Sequence, residues 1–194
     1  MSASAGEWLR IHAFVPESYA NGPGRRAVVW VQGCSLGCPG CFNPATHSLT
    51  YGRVVLVDEL FSDIAALTER VEGLTLSGGE PLQQRRGVLA LLRRIRCETS
   101  LSVVVLTGYS WEEFLSFPES DELSKLVDVV IAGRYESSRN LASSLRGSAN
   151  KTVHRITNRY QSSDLQDGPA AEVIISETGD LISTGIKPVL FKIV

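Results

Sequence analysis

Four short β-branched or apolar runs, each closed by a glycine, dictate the architecture open to this chain. Residues 27–31, 74–77, 102–106 and 127–132 are dense in Val, Leu and Ile, the pattern of strands covered on both faces. Amphipathic helices separate them. Val57, Leu60, Phe61, Ile64 and Leu67 recur at i, i+3, i+4, i+7 spacing, and Val88, Leu89, Leu91, Leu92 and Ile95 repeat the stripe before Cys97. Ser110 and Glu113 form a capping box that opens a further helix through Phe114 and Leu115. This β-α-β-α order predicts an α/β fold, a mainly parallel sheet or part-barrel with right-handed crossovers. At 194 residues, 43% of them hydrophobic, the chain buries one sizeable core without needing a second folding unit.

The runs end at Gly33-Cys34, Gly78-Gly79-Glu80, Gly108-Tyr109 and Gly133-Arg134. In parallel α/β folds the ligand sits at the C-terminal edge of the strands, where backbone approaches it closely only if side chains are absent. The first of these loops carries Cys34, Cys38 and Cys41, a Cys-x3-Cys-x2-Cys triplet in a chain with 4 cysteines. Three thiolates on one loop hold three corners of a cubane iron–sulfur cluster and leave the last iron open to a small molecule. A structural zinc site closes its shell with four ligands instead. His47, which follows Cys41 closely enough to return to the cluster, keeps such a Cys3His zinc site as an alternative. In Ser77-Gly78-Gly79-Glu80-Pro81, the glycines free a strand end and Glu80 places a carboxylate where it can face an ammonium group.

The formal net charge of −2 provides no basic field for nucleic acid, and Arg93, Arg94 and Arg96 read as a solvated helix face. The N-terminus lacks the basic and apolar regions of a signal peptide, and no apolar run approaches the ~18 residues of a membrane span. A cytoplasmic protein is expected, in which a tight cysteine cluster is metal-binding or catalytic before it is disulfide-bonded. Cys97 reads as a core cysteine, and His12 and His154 as structural imidazoles. No Ser-His-Asp order, Walker loop or carboxylate pair offers another mechanism.

With these residues the chain resembles the radical S-adenosylmethionine (SAM) enzymes, whose cluster loop is Cys-x3-Cys-x2-Cys and whose Gly-Gly-Glu strand end contacts the methionine part of SAM. Most members carry an aromatic just before the third cysteine, whereas this chain has Gly40 there and Phe42 after it. Cys38-Pro39-Gly40-Cys41-Phe42-Asn43 is instead similar to the loop of the glycyl radical activases that serve anaerobic, class III ribonucleotide reductase. Asn21-Gly22-Pro23-Gly24-Arg25-Arg26, Leu106-Thr107-Gly108-Tyr109 and Arg146-Gly147-Ser148-Ala149-Asn150-Lys151 resemble that branch in the same order. The likeness spans roughly residues 10–155.

The resemblance implies a radical SAM core over residues 1–155, a partial (β/α) barrel. It assigns Cys34, Cys38 and Cys41 as the catalytic cysteines that ligate a [4Fe-4S] cluster. The backbone around Gly40, Cys41 and Phe42 touches SAM, with Phe42 near the adenine, and Gly78, Gly79 and Glu80 take the methionine end. Thr107, Gly108 and Tyr109 serve the ribose or adenine, and Ser148 and Asn150 complete the set. Reduced cluster and SAM then yield methionine and a 5′-deoxyadenosyl radical, which takes hydrogen from a glycine Cα of the partner reductase. A flavodoxin or ferredoxin supplies the electron. Two other readings remain: a radical SAM enzyme acting on a small molecule, such as a deazaguanine synthase, and a metal or cluster module without turnover. Residues 156–194 lie beyond the likeness. They read as a β-hairpin, 171–175 and 181–183 with its turn at Gly179-Asp180, packed on the same domain as an added edge of the sheet or as a partner-docking element.

Overall fold

The structure is a computed structural model that describes residues 6–141, 145–165, 168–175, 179 and 181–185. Its strands are β1 (Trp8–Ser18), β2 (Arg26–Val31), β3 (Arg53–Leu56), β4 (Gly73–Gly78), β5 (Ser102–Leu106), β6 (Val129–Ala132), β7 (Thr152–Arg155), β8 (Ala171–Ile175) and β9 (Leu181–Gly185). Helices α1 (Val57–Ala65), α2 (Arg85–Glu98), α3 (Trp111–Ser116) and α4 (Ser120–Leu126) fall between them. Among the described residues the first seven strands form one sheet in the order β3-β1-β2-β4-β5-β6-β7. Its centre, β2-β4-β5-β6, is parallel, whereas β1 and β3 on one side and β7 on the other are antiparallel additions.

The central strands and their helices lie where the apolar periodicity places them. Leu74, Leu76, Val103 and Val105 face α1 and α2 and join Leu60, Ile64, Val88, Leu91, Leu92 and Ile95 in one core. The opposite face is smaller: Val104, Val129 and Ile131 pack with Tyr160 and Leu165. The capping box is formed, with the Ser110 hydroxyl accepting from the Glu113 amide at 3.2 Å and a Glu113 carboxylate oxygen accepting from the Ser110 amide at 2.7 Å. His154 lies on β7 and stacks on Trp111 with ring centroids 3.9 Å apart. The arginines of α2 pair with Glu122, with Asp58 and Glu98, and with Asp128.

Two expectations change, and one strand was not anticipated. The longest strand, β1, was hidden because register shifts between Ile11 and Ala13 and between Val15 and Ser18 break the period-2 alternation by which a strand is recognised. Cys97 is exposed on the last turn of α2, not in the core. Strands β8 and β9 pair antiparallel but form a sheet of their own, not an edge of the main one. Of the expected turn, Gly179 is described, whereas Asp180 lies outside the described residues.

At the N-terminal end of the parallel strands, Arg26 is fully buried. Its guanidinium donates to the Thr75 hydroxyl at 2.7 Å, the Leu74 carbonyl at 2.7 Å, the Ser102 hydroxyl at 3.0 Å and carbonyl at 3.2 Å, the Pro23 carbonyl at 3.2 Å and the Tyr160 hydroxyl at 3.0 Å. A buried charge survives only when its donors are satisfied, and these acceptors come from β4, β5 and both flanking loops. Arg26→Leu strands several of them, each costing about 1–3 kcal/mol. We expect a loss of at least ~3 kcal/mol by urea denaturation, with a lower midpoint at unchanged slope.

Candidate iron–sulfur and SAM site

The cysteine loop is built onto the end of β2. The Gly33 amide donates to the Thr46 carbonyl at 2.8 Å and the Cys34 amide to the His47 carbonyl at 3.1 Å, which closes the loop at its base. Gln32 pegs it from beneath: the side-chain amide donates to the Ala45 carbonyl at 3.2 Å and the Ser48 carbonyl at 2.8 Å, and its oxygen meets His12 Nδ1 at 2.9 Å. Asn43 precedes the 3₁₀ turn Pro44–Thr46, and its amide points at the Cys41 sulfur at 3.4 Å. Cys34, Cys38 and Cys41 are all half-buried. Burial pushes the thiols of Cys34 and Cys41 up in pKa, against the lowering effect of the backbone amides of Leu36 and Asn43 respectively.

The end of β4 is clamped against this loop. The Gly79 amide donates to the Val31 carbonyl and the Glu80 amide to the Gly33 carbonyl, both at 2.9 Å. Gly78 has φ +103°, and a Cβ there would sit 2.6 Å from the Val31 backbone; at Gly79 it would sit 2.4 Å from the Gly33 carbonyl oxygen. The contact is backbone against backbone, so neither position admits a side chain.

Glu80 is turned inward. It is fully buried, with one oxygen accepting from the Leu82 amide at 2.9 Å and the Thr107 hydroxyl at 2.7 Å, and the other from the Gly108 amide at 2.6 Å. Burial pushes its pKa up, opposed by the amides of Gly108 and Leu82, the Thr107 hydroxyl and the charge of Lys151. The carboxylate thus locks the turn after β5 to the turn after β4. Lys151, which enters β7, is 8% exposed. Burial lowers its pKa, while Glu80, Cys38 and Cys41 pull it up.

These elements enclose a cleft whose walls include Cys34, Cys38, Cys41, Phe42, Ser77, Gly78, Gly79, Glu80, Thr107, Gly108 and Lys151. Among the described residues Lys151 is the only lysine or arginine on its wall. Phe42 stands edge-on to Tyr135 with centroids 5.2 Å apart. Four of the expected residues are not on the wall. Tyr109 packs edge-on against Phe117 at 5.0 Å with Arg134 over its ring. Ser148 is fully buried and accepts from the Glu136 amide at 3.3 Å. Asn150 donates to the Arg134 carbonyl at 2.8 Å. At Gly40, with φ +67°, a Cβ would meet Ser137 at 3.0 Å. Sequence reasoning missed Lys151 and Tyr135 as wall residues. Lys151 stood at the end of the Arg146-to-Lys151 run without being singled out.

The donor set tests which group the loop suits. Among the described residues no three His, Cys, Asp or Glu side chains gather about one point as a preformed single-metal site requires, although His47 lines the cleft together with the three cysteines. A cubane gives each thiolate its own iron and spreads its ligands more widely. Half-buried cysteines on one loop, a single cation opposite and a backbone-lined rim fit that group.

A single-cluster iron–sulfur protein is the class this fold and site define, and the chain belongs to the family described as "4Fe-4S single cluster domain", which matches residues 20–154. More narrowly, it belongs to the family of anaerobic ribonucleoside-triphosphate reductase-activating proteins. It is 32% identical to the protein of that name from Salmonella typhi, over 76% of this chain and 99% of the relative. It is 30% identical to that of Escherichia coli K12 over the same shares, and 32% identical to that of Enterobacteria phage T4 over 71% of this chain and 88% of the relative. Among solved structures, the crystal structure of QueE from Escherichia coli is a distant likeness: TM-score 0.44, 17% identity, 57% of this chain and 59% of that one.

Replacing the buried carboxylate tests the lock. Glu80→Gln replaces one carboxylate oxygen by an amide donor, which then faces either the Gly108 amide or the Leu82 amide and Thr107 hydroxyl, so a stability loss of about 1.5–3 kcal/mol is expected in urea denaturation of the metal-free protein. An unchanged midpoint would show that Glu80 does not hold the two turns.

Proposed function

We propose that this chain is a radical SAM activase that cleaves SAM reductively and places a glycyl radical on anaerobic ribonucleotide reductase. The observation that carries the reading is the cysteine loop clamped by backbone hydrogen bonds to the Gly78-Gly79 strand end. Kinship with the activating proteins, whose length the chain covers almost completely, supports it. When bound, the cluster supplies one electron at low potential and SAM supplies the carbon radical that abstracts hydrogen from glycine.

The chain's own residues do the positioning. Cys34, Cys38 and Cys41 hold three irons. The end of β4 offers backbone instead of side chains, so Gly78 and Gly79 take the amino-acid end of SAM. Glu80 acts at one remove, fixing Gly108 and Thr107 on the facing wall. Lys151 brings positive charge to a site that gathers thiolates and a carboxylate, and Phe42 covers the side towards the adenine. Gly40, Tyr109, Ser148 and Asn150 set the backbone behind that wall.

A part-barrel core over residues 1–155, with 156–194 packed on it, suits this chemistry, since the concave sheet face shelters a radical from water. The electron donor is a flavodoxin- or ferredoxin-type protein, and the compartment is the cytoplasm. No helix among the described residues is long and apolar enough to cross a membrane.

Anaerobic reconstitution with iron and sulfide, followed by dithionite and SAM, tests the reading. The wild type should show cluster absorbance, release 5′-deoxyadenosine and, with the reductase present, give the electron paramagnetic resonance (EPR) signal of a glycyl radical. Cys38→Ala should lose the absorbance and the turnover together. A fully clustered wild type that yields no 5′-deoxyadenosine overturns the proposal. Gly79→Ala, which drives a methyl into the Gly33 carbonyl, should lower cluster loading and SAM affinity by at least about tenfold, a fold-change worth ~1.4 kcal/mol.

A further inference from the structure

A second cavity, of about 320 Å³, lies on the sheet face turned away from α1 and α2. Phe14, Trp30, Ser77 and Leu106 form its floor, and β9 from Ile182 to Gly185 forms a wall. It adjoins the cysteine cleft, since Phe42, Ser77 and Leu106 line both. The wall is fixed to the loop after β1 by a buried polar clamp. A Glu172 carboxylate oxygen on β8 accepts from the Ser18 hydroxyl at 2.7 Å and the Tyr19 amide at 3.0 Å. The Asn21 side chain donates to the Thr184 hydroxyl at 2.8 Å and to the Ser18 hydroxyl at 2.8 Å. Ser18, Asn21 and Thr184 are all buried.

The wall is this chain's own addition. The family match ends at residue 154, ahead of both strands. Relatives covered over 99% of their length align with 76% of this chain, so about a quarter of it has no counterpart in them.

We propose that β9 is the specificity wall for the client, and that the cavity receives the glycine-bearing loop of the glycyl radical enzyme in extended conformation, with uncharged residues around the glycine. This rests on the activase reading above and adds to it where the client enters and which element selects it. Three features choose that occupant. The cavity adjoins the cleft in which the activase reading places SAM. Among the described residues its wall carries no Asp, Glu, Lys or Arg, and its one imidazole, His12, is already hydrogen-bonded to Gln32, so a phosphorylated or carboxylated small molecule finds little charge to pair with, whereas a neutral peptide loses nothing. Its volume lies at the lower end of the roughly 300–1,000 Å³ of ligand pockets, room for a loop tip and not a folded unit.

The test separates client binding from SAM chemistry. Ile182→Trp fills the cavity from the β9 side, and Glu172→Gln loosens the clamp without touching the cavity; neither residue belongs to the cluster or SAM walls. For the reconstituted holoprotein three quantities are read: affinity for purified anaerobic ribonucleotide reductase by titration calorimetry, 5′-deoxyadenosine released under dithionite without the reductase, and the glycyl radical EPR signal. We expect Ile182→Trp to weaken the reductase at least tenfold and to cut the radical signal in proportion, with uncoupled 5′-deoxyadenosine within twofold of wild type. Glu172→Gln should weaken the reductase severalfold in the same pattern, which keeps the test open if the tryptophan variant does not fold. Affinity and radical yield within twofold of wild type in a folded variant overturn the wall. A wild type that releases no 5′-deoxyadenosine overturns the activase reading, and a wild type that releases it but does not bind the reductase overturns the assigned occupant.

Discussion

A buried carboxylate organises the rim of this protein. Glu80 leaves the end of β4 and is fully enclosed, and a carboxylate so placed must gather donors or take up a proton. It gathers the Leu82 amide, the Thr107 hydroxyl and the Gly108 amide, and it feels the charge of the buried Lys151 just before β7. Three separate stretches of chain are thereby drawn to one point. Thr107, Gly108 and Lys151 line the cleft beside Glu80, where the pairing of β5 with β4 and of β7 with β6 brings them.

The opposite ends of the same strands are held in a complementary way. Arg26 buries a cation among hydroxyls and carbonyls from β4, β5 and their flanking loops, and among the described residues no carboxylate is hydrogen-bonded to it. The parallel sheet is thus pinned by an anion at its C-terminal rim and a cation at its N-terminal end, with an apolar core between. Such an arrangement resists sliding of one strand past another, since a one-residue slip would strand the buried groups at both ends. Rigidity of that kind suits a site that must hold three thiolates in fixed geometry.

Much of this was legible in advance. The central strands, α1, α2 and the capping box each follow from local pattern, because periodicity and hydrogen bonds within a few residues decide them. The cysteine triplet and the Gly-Gly-Glu turn were equally plain. What escaped had its cause elsewhere in the chain. Strand β1 was masked by two register shifts that its antiparallel partner accommodates. Tyr109 stood beside two wall residues, yet Phe117 and Arg134 hold its ring away from the cleft. Lys151 is 71 positions from Glu80 in sequence, and no spacing rule links them. The separate β8–β9 sheet depends on Glu172 reaching Ser18 across 154 residues.

The sequence by itself determined the chemistry and the layered α/β plan. Three cysteines within one loop limit the metal group through valence alone, and strand–helix alternation limits the sheet through burial alone; neither needs a distant partner. Only the tertiary structure decided what each rim residue does. Gly78 and Gly79 are glycines because the backbones of Val31 and Gly33 leave no room for a Cβ. Glu80, on the cleft wall, also ties two turns together, since donors to it arrive from a turn 27 and 28 residues away. The physical reason is the same throughout: ligation and periodicity are local properties of the chain, whereas the direction a buried charge faces is set by which strands the core brings beside it.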